Sequence, residues 1–183
     1  KHLRDYFDGE ARVVHNRGNA QHTGVGLENI SSWLGDEEWD IIVFNWGLWD
    51  LYQRKQYIQT EDNKYRLRRA LTCTIEEYTT NLDSIVSVLK KTKAKLIFVT
   101  TTYVPENSGG RFKPDVLRYN KAAKEVMKKH EVEVKDIYNP SRKIHKQYGK
   151  STTDVHYTEQ GYKKLSELII EAIEPEILRI NAE

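Results

Sequence analysis

The segment Thr153-Asp154-Val155-His156-Tyr157-Thr158-Glu159-Gln160-Gly161-Tyr162 sets an acid and a histidine two positions apart, directly before an amphipathic run. A histidine on the loop before a helix, with a carboxylate beside it to fix its tautomer, suits a general base serving a hydroxyl nucleophile. The hydroxyl is not evident. No serine stands in a nucleophile-like setting, and Ser108, in Asn107-Ser108-Gly109-Gly110, lies in a flexible loop with no strand-to-helix turn to present it.

Elements must hold this loop, and hydrophobic periodicity locates them. Ala11–His15, Trp39–Asn45, Ala94–Thr101 and, more weakly, Val132–Ile137 are β-branched or near-continuous apolar runs, as expected of parallel strands buried on both faces. Helical spacing covers Gly24–Leu34, the stretch after the capping box Thr74-Ile75-Glu76-Glu77, Asp115–Lys129 behind Pro114, and a last helix from Glu159 that stops near Pro175. The alternation predicts an α/β fold: an open parallel sheet with helices on both faces. Residues 1–183 read as one domain, without repeat or linker.

Ligands of such sheets sit beyond the C-terminal strand ends. The loops expected there are His15–Gly24, Asn45–Asp50, Thr100–Pro105 and the Asp154/His156 loop. Three offer hydrogen-bond donors and the fourth a base, which together make a pocket for a polar ester or amide whose oxyanion meets preorganised dipoles. Composition narrows the alternatives. With 38% hydrophobic and 31% charged residues the chain reads as globular, and a net charge of +2 argues against nucleic acid as a partner. No run reaches the ~20 apolar residues of a membrane span. The lone Cys73 has no disulfide partner and no zinc-site neighbour in the sequence, so an ordinary half-buried thiol is expected. The chain opens at Lys1, and Lys1–Phe7 reads as the remainder of a helix; an N-terminal truncation is expected, and localisation stays open.

Taken together, Gly47-Leu48-Trp49-Asp50 and Asp154-Val155-His156 with Thr158, Gly161 and Tyr162 resemble the SGNH (GDSL-like) hydrolases over nearly the whole chain. Asn45-Trp46-Gly47-Leu48-Trp49-Asp50-Leu51 is closest to the family subset reading Asn-x-Gly-Leu-His-Asp-Leu. The resemblance implies a flavodoxin-like three-layer α/β/α fold, with catalytic His156 and Asp154. It implies oxyanion or substrate contacts at Asn45, Gly47, Trp49, Gly18 and Asn19, and no cofactor. The implied activity is that of a serine esterase acting on a small ester or acylated carbohydrate. In that resemblance Trp49 occupies the usual Asn position, and the family's Gly-Asp-Ser strand is expected upstream of Lys1. That strand runs between the two supplied here as Ala11–His15 and Trp39–Asn45. With neighbours ~4.8 Å apart, its removal leaves a gap of roughly 10 Å between unpaired strand edges.

Other residues have plainer readings. Asp50 is expected to tie the strand end to a neighbouring loop. His15 and His22 are expected on the surface, as are His2, His130 and His145; Trp46 and Trp49 suit either the core or a sugar ring. Gln53–Arg69 carries six cations and reads as a solvated loop countered by Glu61 and Asp62, or else as a lid favouring acidic or polysaccharide substrates. The competing function is a non-catalytic carbohydrate-binding or scaffold protein that keeps the fold.

Overall fold

The apolar runs become a parallel sheet because both of its faces find helices. The computed structural model describes residues 1–182. It pairs β1 (Ile41–Phe44) with β4 (Lys95–Val99), Ile41 opposite Lys95 through Phe44 opposite Phe98, and β4 with β5 (Glu133–Lys135), all in parallel. Between β1 and β4 the chain makes an antiparallel hairpin, β2 (Gln53–Gln59) and β3 (Tyr65–Leu71), which forms a separate two-stranded sheet. The helices are α1 (His2–Tyr6), α2 (Thr23–Leu34), α3 (Ile75–Leu89), α4 (Lys113–Lys129), α5 (Tyr138–Tyr148) and α6 (Glu159–Ile180).

Strand side chains alternate between faces, and the two cores follow that alternation. Phe44, Leu96 and Phe98 pack with Ile30 of α2, Leu82, Ile85 and Leu89 of α3, and Val116, Ala123 and Met127 of α4. Ile97 packs on the opposite face with Phe7 and with Ile170, Ile173 and Ile177 of α6, and Ile41 and Val43 join it there. The result is the expected three-layer α/β/α arrangement. Thr74 starts α3 with the full capping box: its side chain accepts from Glu77 N–H, and the Glu77 carboxylate accepts from Thr74 N–H at 2.7 Å.

Ala11–His15 belongs to no strand, which corrects its reading as the first one. A β-run acquires ladder bonds only where a neighbour lies within reach. Here the segment runs alongside β1 with a groove of about 910 Å³ between them, lined by Val13, Ile41, Val43, Ile173 and Ile177 among others. Arg12 pairs with Glu37 at one end, and the Trp46 indole donates to Ala20 O at 3.3 Å at the other. The chain from Arg12 to Ala20 thus follows the same general direction as the chain from Glu37 to Trp46. Asn16 also lines the groove, and its Nδ2 is buried with no partner among the described residues.

The last helix does not stop at Pro175; it continues to Ile180. An interior proline removes one backbone bond and typically costs ~3 kcal/mol. The apolar stripe Ile170–Ile173–Ile177 offsets this by continuing into the core beneath α1. We expect Ile177→Ala to cost about 2–5 kcal/mol, and Leu178→Ala, one residue on but 60% exposed, to stay within ~0.5 kcal/mol. Chemical denaturation separates the two, and equal effects would mean the helix beyond Pro175 is not anchored.

Candidate active site

The Asp154/His156 loop is pinned at both ends. Gly149 bridges to Tyr157, Lys150 N–H donates to His156 O at 3.0 Å, and Thr158 N–H donates to Tyr148 O at 2.8 Å. Thr158 then caps α6 by accepting from Gly161 N–H at 3.3 Å. Gly161 is required by crowding: a Cβ there would lie 2.8 Å from Tyr148 O. Tyr157 anchors the loop in the apolar cluster of Val99, Ile137 and Leu165, at the C-terminal ends of β1 and β4.

On this support Asp154 Oδ1 lies 2.6 Å from His156 Nδ1 and also accepts from His156 N–H at 2.9 Å. These two bonds, backbone first, hold the Asp154 carboxyl below its usual range. They also fix the imidazole so that Nε2 is the free nitrogen, on a side chain 60% exposed. The carboxylate and the base are brought together as the spacing suggested.

His145 corrects its reading as an exposed group. It is buried between Tyr103 and Tyr157, and its Nε2 lies 2.6 Å from the Asp154 carbonyl oxygen. Its sequence signal was weak, because helix α5, which carries it, is polar in average composition and buries polar Ser141 and His145 on its inner face. His130 pairs with Asp83 at 2.7 Å, and His2 lies 3.3 Å from Glu159; both are partly buried rather than free.

The expected oxyanion residues are distributed unevenly. Asn45 is exposed at the end of β1, and its Nδ2 donates to Val99 O at 2.7 Å, leaving one amide hydrogen uncommitted. Gly47 adopts φ +145°, and a side chain there would strike Thr101 Oγ1 at 2.4 Å. Trp49 is half-buried, with the Arg111 guanidinium 6.0 Å from its ring centroid. Gly18 and Asn19 are exposed in the turn before α2, where Asn19 Oδ1 accepts from Gln21 N–H at 2.8 Å. Trp46 is a core residue stacked near Trp33. Ser108 is buried, with its hydroxyl donating to Pro105 O at 2.8 Å.

Asp50 has the tying role expected of it. Fully buried, its Oδ1 accepts from Thr23 N–H at 2.8 Å and Thr23 Oγ1–H at 2.6 Å, at the start of α2. Burial pushes its pKa up, and these bonds oppose the rise. Cys73 does have neighbours of metal-ligating type, contrary to the sequence reading: its Sγ, one His22 ring nitrogen and one Asp50 oxygen lie within 4.8 Å of one another. The thiol is 3.6 Å from His22 Nδ1. Folding brought together residues that lie far apart in the chain, which spacing alone does not reveal.

With this geometry established, likeness to known proteins can be weighed. The GDSL-like Lipase/Acylhydrolase family profile matches residues 2–164. The chain belongs to that family. Among solved structures, the lipase/acylhydrolase from Enterococcus faecalis is 20% identical with TM-score 0.66, covering 85% of this chain and 72% of its own. LAE5, an alpha/beta hydrolase enzyme from the metagenome of Lake Arreo, is 15% identical with TM-score 0.70, over 93% and 77%. An acetyl xylan esterase, AlAXEase, is 11% identical with TM-score 0.66, over 85% and 78%. At these identities the likeness is one of fold. No curated protein matches the chain. Among the described residues of this family member, no helix is long and apolar enough to cross a membrane.

Burial, with the Asp50 charge next in weight, lifts the Cys73 thiol from 9.0 to about 11. A group whose folded pKa is raised adds stability that is fully present below the unfolded pKa and lost as pH rises through the folded one. Unfolding free energy should therefore fall more steeply between pH 9 and about 11 in the native protein than in Cys73→Ala, where only other groups with raised values, such as the buried Tyr78 and Tyr157, still contribute. Denaturant titrations across that range test this, and parallel curves would contradict it.

Proposed function

We propose that this domain is the base-bearing part of a serine esterase that removes acetyl or other small acyl groups from a carbohydrate or small ester. The observation that carries the reading is the Asp154–His156 pair, 2.6 Å apart at the C-terminal end of the sheet. Supporting it are the family membership and, among its structural neighbours, acetyl xylan esterases of the same fold. The nucleophile of this reading is a serine on a strand that fills the groove beside β1, where strand edge and apolar lining suit an added strand.

The serine Oγ attacks the ester carbonyl carbon while His156 Nε2 takes its proton. Asp154 accepts the Nδ1 hydrogen bond and steadies the imidazolium. The tetrahedral oxyanion draws on the free amide hydrogen of Asn45 and on backbone N–H groups near Gly18, Asn19 and Gly47. Its collapse expels the alcohol, which receives the proton from Nε2. Water then repeats the sequence on the acyl-enzyme. No step uses a metal or organic cofactor.

The second reading, a carbohydrate-binding protein without turnover, draws on Trp49, whose ring takes the place of an expected amide donor. Fluorophosphonate labelling of the complete natural polypeptide, with mass mapping, decides between them. An adduct on a serine preceding Lys1 is expected; an adduct within residues 1–183 overturns the site, and no adduct on folded protein favours the binding reading. His156→Ala should lower aryl-acetate kcat/KM by about 10²–10⁴-fold. It should also let the Asp154 carboxyl rise part of the way toward the ordinary carboxylate range, the bond from the backbone N–H of residue 156 remaining, as read by ¹³C NMR; an unmoved titration would dissolve the dyad.

A further inference from the structure

Gln53–Arg69, read as a solvated loop, is instead the ribbon of β2 and β3, seven residues to a strand. Residues 53–71 hold six cations against Glu61 and Asp62, a net +4 in a chain whose total is +2. The two acids do not counter the arginines. They sit at the tip, where Asp62 pairs with Lys64 at 2.8 Å and accepts from Thr60 Oγ1–H. Among the described residues, none of Arg54, Lys55, Arg66, Arg68 and Arg69 forms an ion pair, and all are exposed.

Register sorts them into faces. Arg54 opposes Ala70, Gln56 opposes Arg68, and Ile58 opposes Arg66, so the three arginines share one face. At ~3.4 Å per residue they stand in a row with steps of about 7 Å. Lys55 and Arg69 oppose each other on the other face, with Tyr57 opposite Leu67. Guanidinium forks match planar or tetrahedral oxyanions better than ammonium groups do, and a row of them suits a polymer with repeated anionic groups.

The ribbon is rooted in the loop that follows β1, on the side of the sheet that carries the dyad. Gln53 N–H donates to Gly110 O at 2.8 Å, and Cys73 N–H returns to Asp50 O at 3.0 Å. Arg111, next to Gly110, donates to Leu48 O at 3.0 Å, lies 4.6 Å from the Tyr52 ring centroid and lies within electrostatic reach of Asp154. We infer that the Arg54–Arg66–Arg68 face binds an anionic polysaccharide, through its carboxylate or sulfate groups, and so selects the acylated polymer presented to the site. This inference rests on the esterase reading for its choice of polymer.

The test titrates the complete protein with polygalacturonate, dextran sulfate, neutral xylan and a single-stranded oligonucleotide, at low and high salt. Binding of at least one polyanionic polysaccharide, weakened by salt, is expected. Arg54→Gln/Arg66→Gln/Arg68→Gln should weaken it about tenfold or more, with aryl-acetate turnover unchanged. The opposite-face variant Lys55→Gln/Arg69→Gln should stay within about threefold. Unchanged affinity in the triple variant, equal losses from both faces, equally tight xylan or a preferred oligonucleotide would each overturn the inference. Arginine-dependent polysaccharide binding without aryl-acetate turnover in the natural protein would leave the ribbon's role standing and remove the esterase reading.

Discussion

A carboxylate with no exposed surface organises the C-terminal side of this sheet. Asp50 closes the loop after β1, supplies the cap that the residue before α2 does not, and offers its own carbonyl to the chain returning from the ribbon. Moving such a group from water is costly unless its oxygens are bonded; Oδ1 is bonded twice by Thr23, while Oδ2 is buried with no partner among the described residues. Asn45 and Gly47 lie three to five residues earlier, in the loop that Asp50 closes. Their positions relative to β4 are further limited by Val99 O and Thr101 Oγ1.

The dyad is supported differently, by packing. His145 holds the Asp154 carbonyl, while Tyr157, next to His156, is itself seated in the core between β4 and α6. The His156 ring projects into solvent. The loop thus joins a buried anchor to an exposed base, and the imidazole orientation is set locally by Asp154, without distant charges.

Much of this was legible where local chemistry decides structure. The Thr74–Glu77 capping box, the doubly buried strands and the Asp-x-His loop each carry their signal within a few residues. Failures came where partners decide. Ala11–His15 has strand composition but no ladder partner, and Pro175 argues for a stop that the Ile170–Ile177 stripe overrules. The ribbon hid because charged residues on both faces leave no apolar alternation. His22, Asp50 and Cys73 became neighbours only through the tertiary fold.

The open edge of β1 bears on handling as well as on chemistry. β4 is paired on both sides and β5 is only three residues long, but β1 presents backbone donors and acceptors beside an apolar groove. Such an edge is a template for intermolecular pairing. Pairing of two such edges is an association between molecules, so it grows with protein concentration and leaves the packed core of each molecule intact.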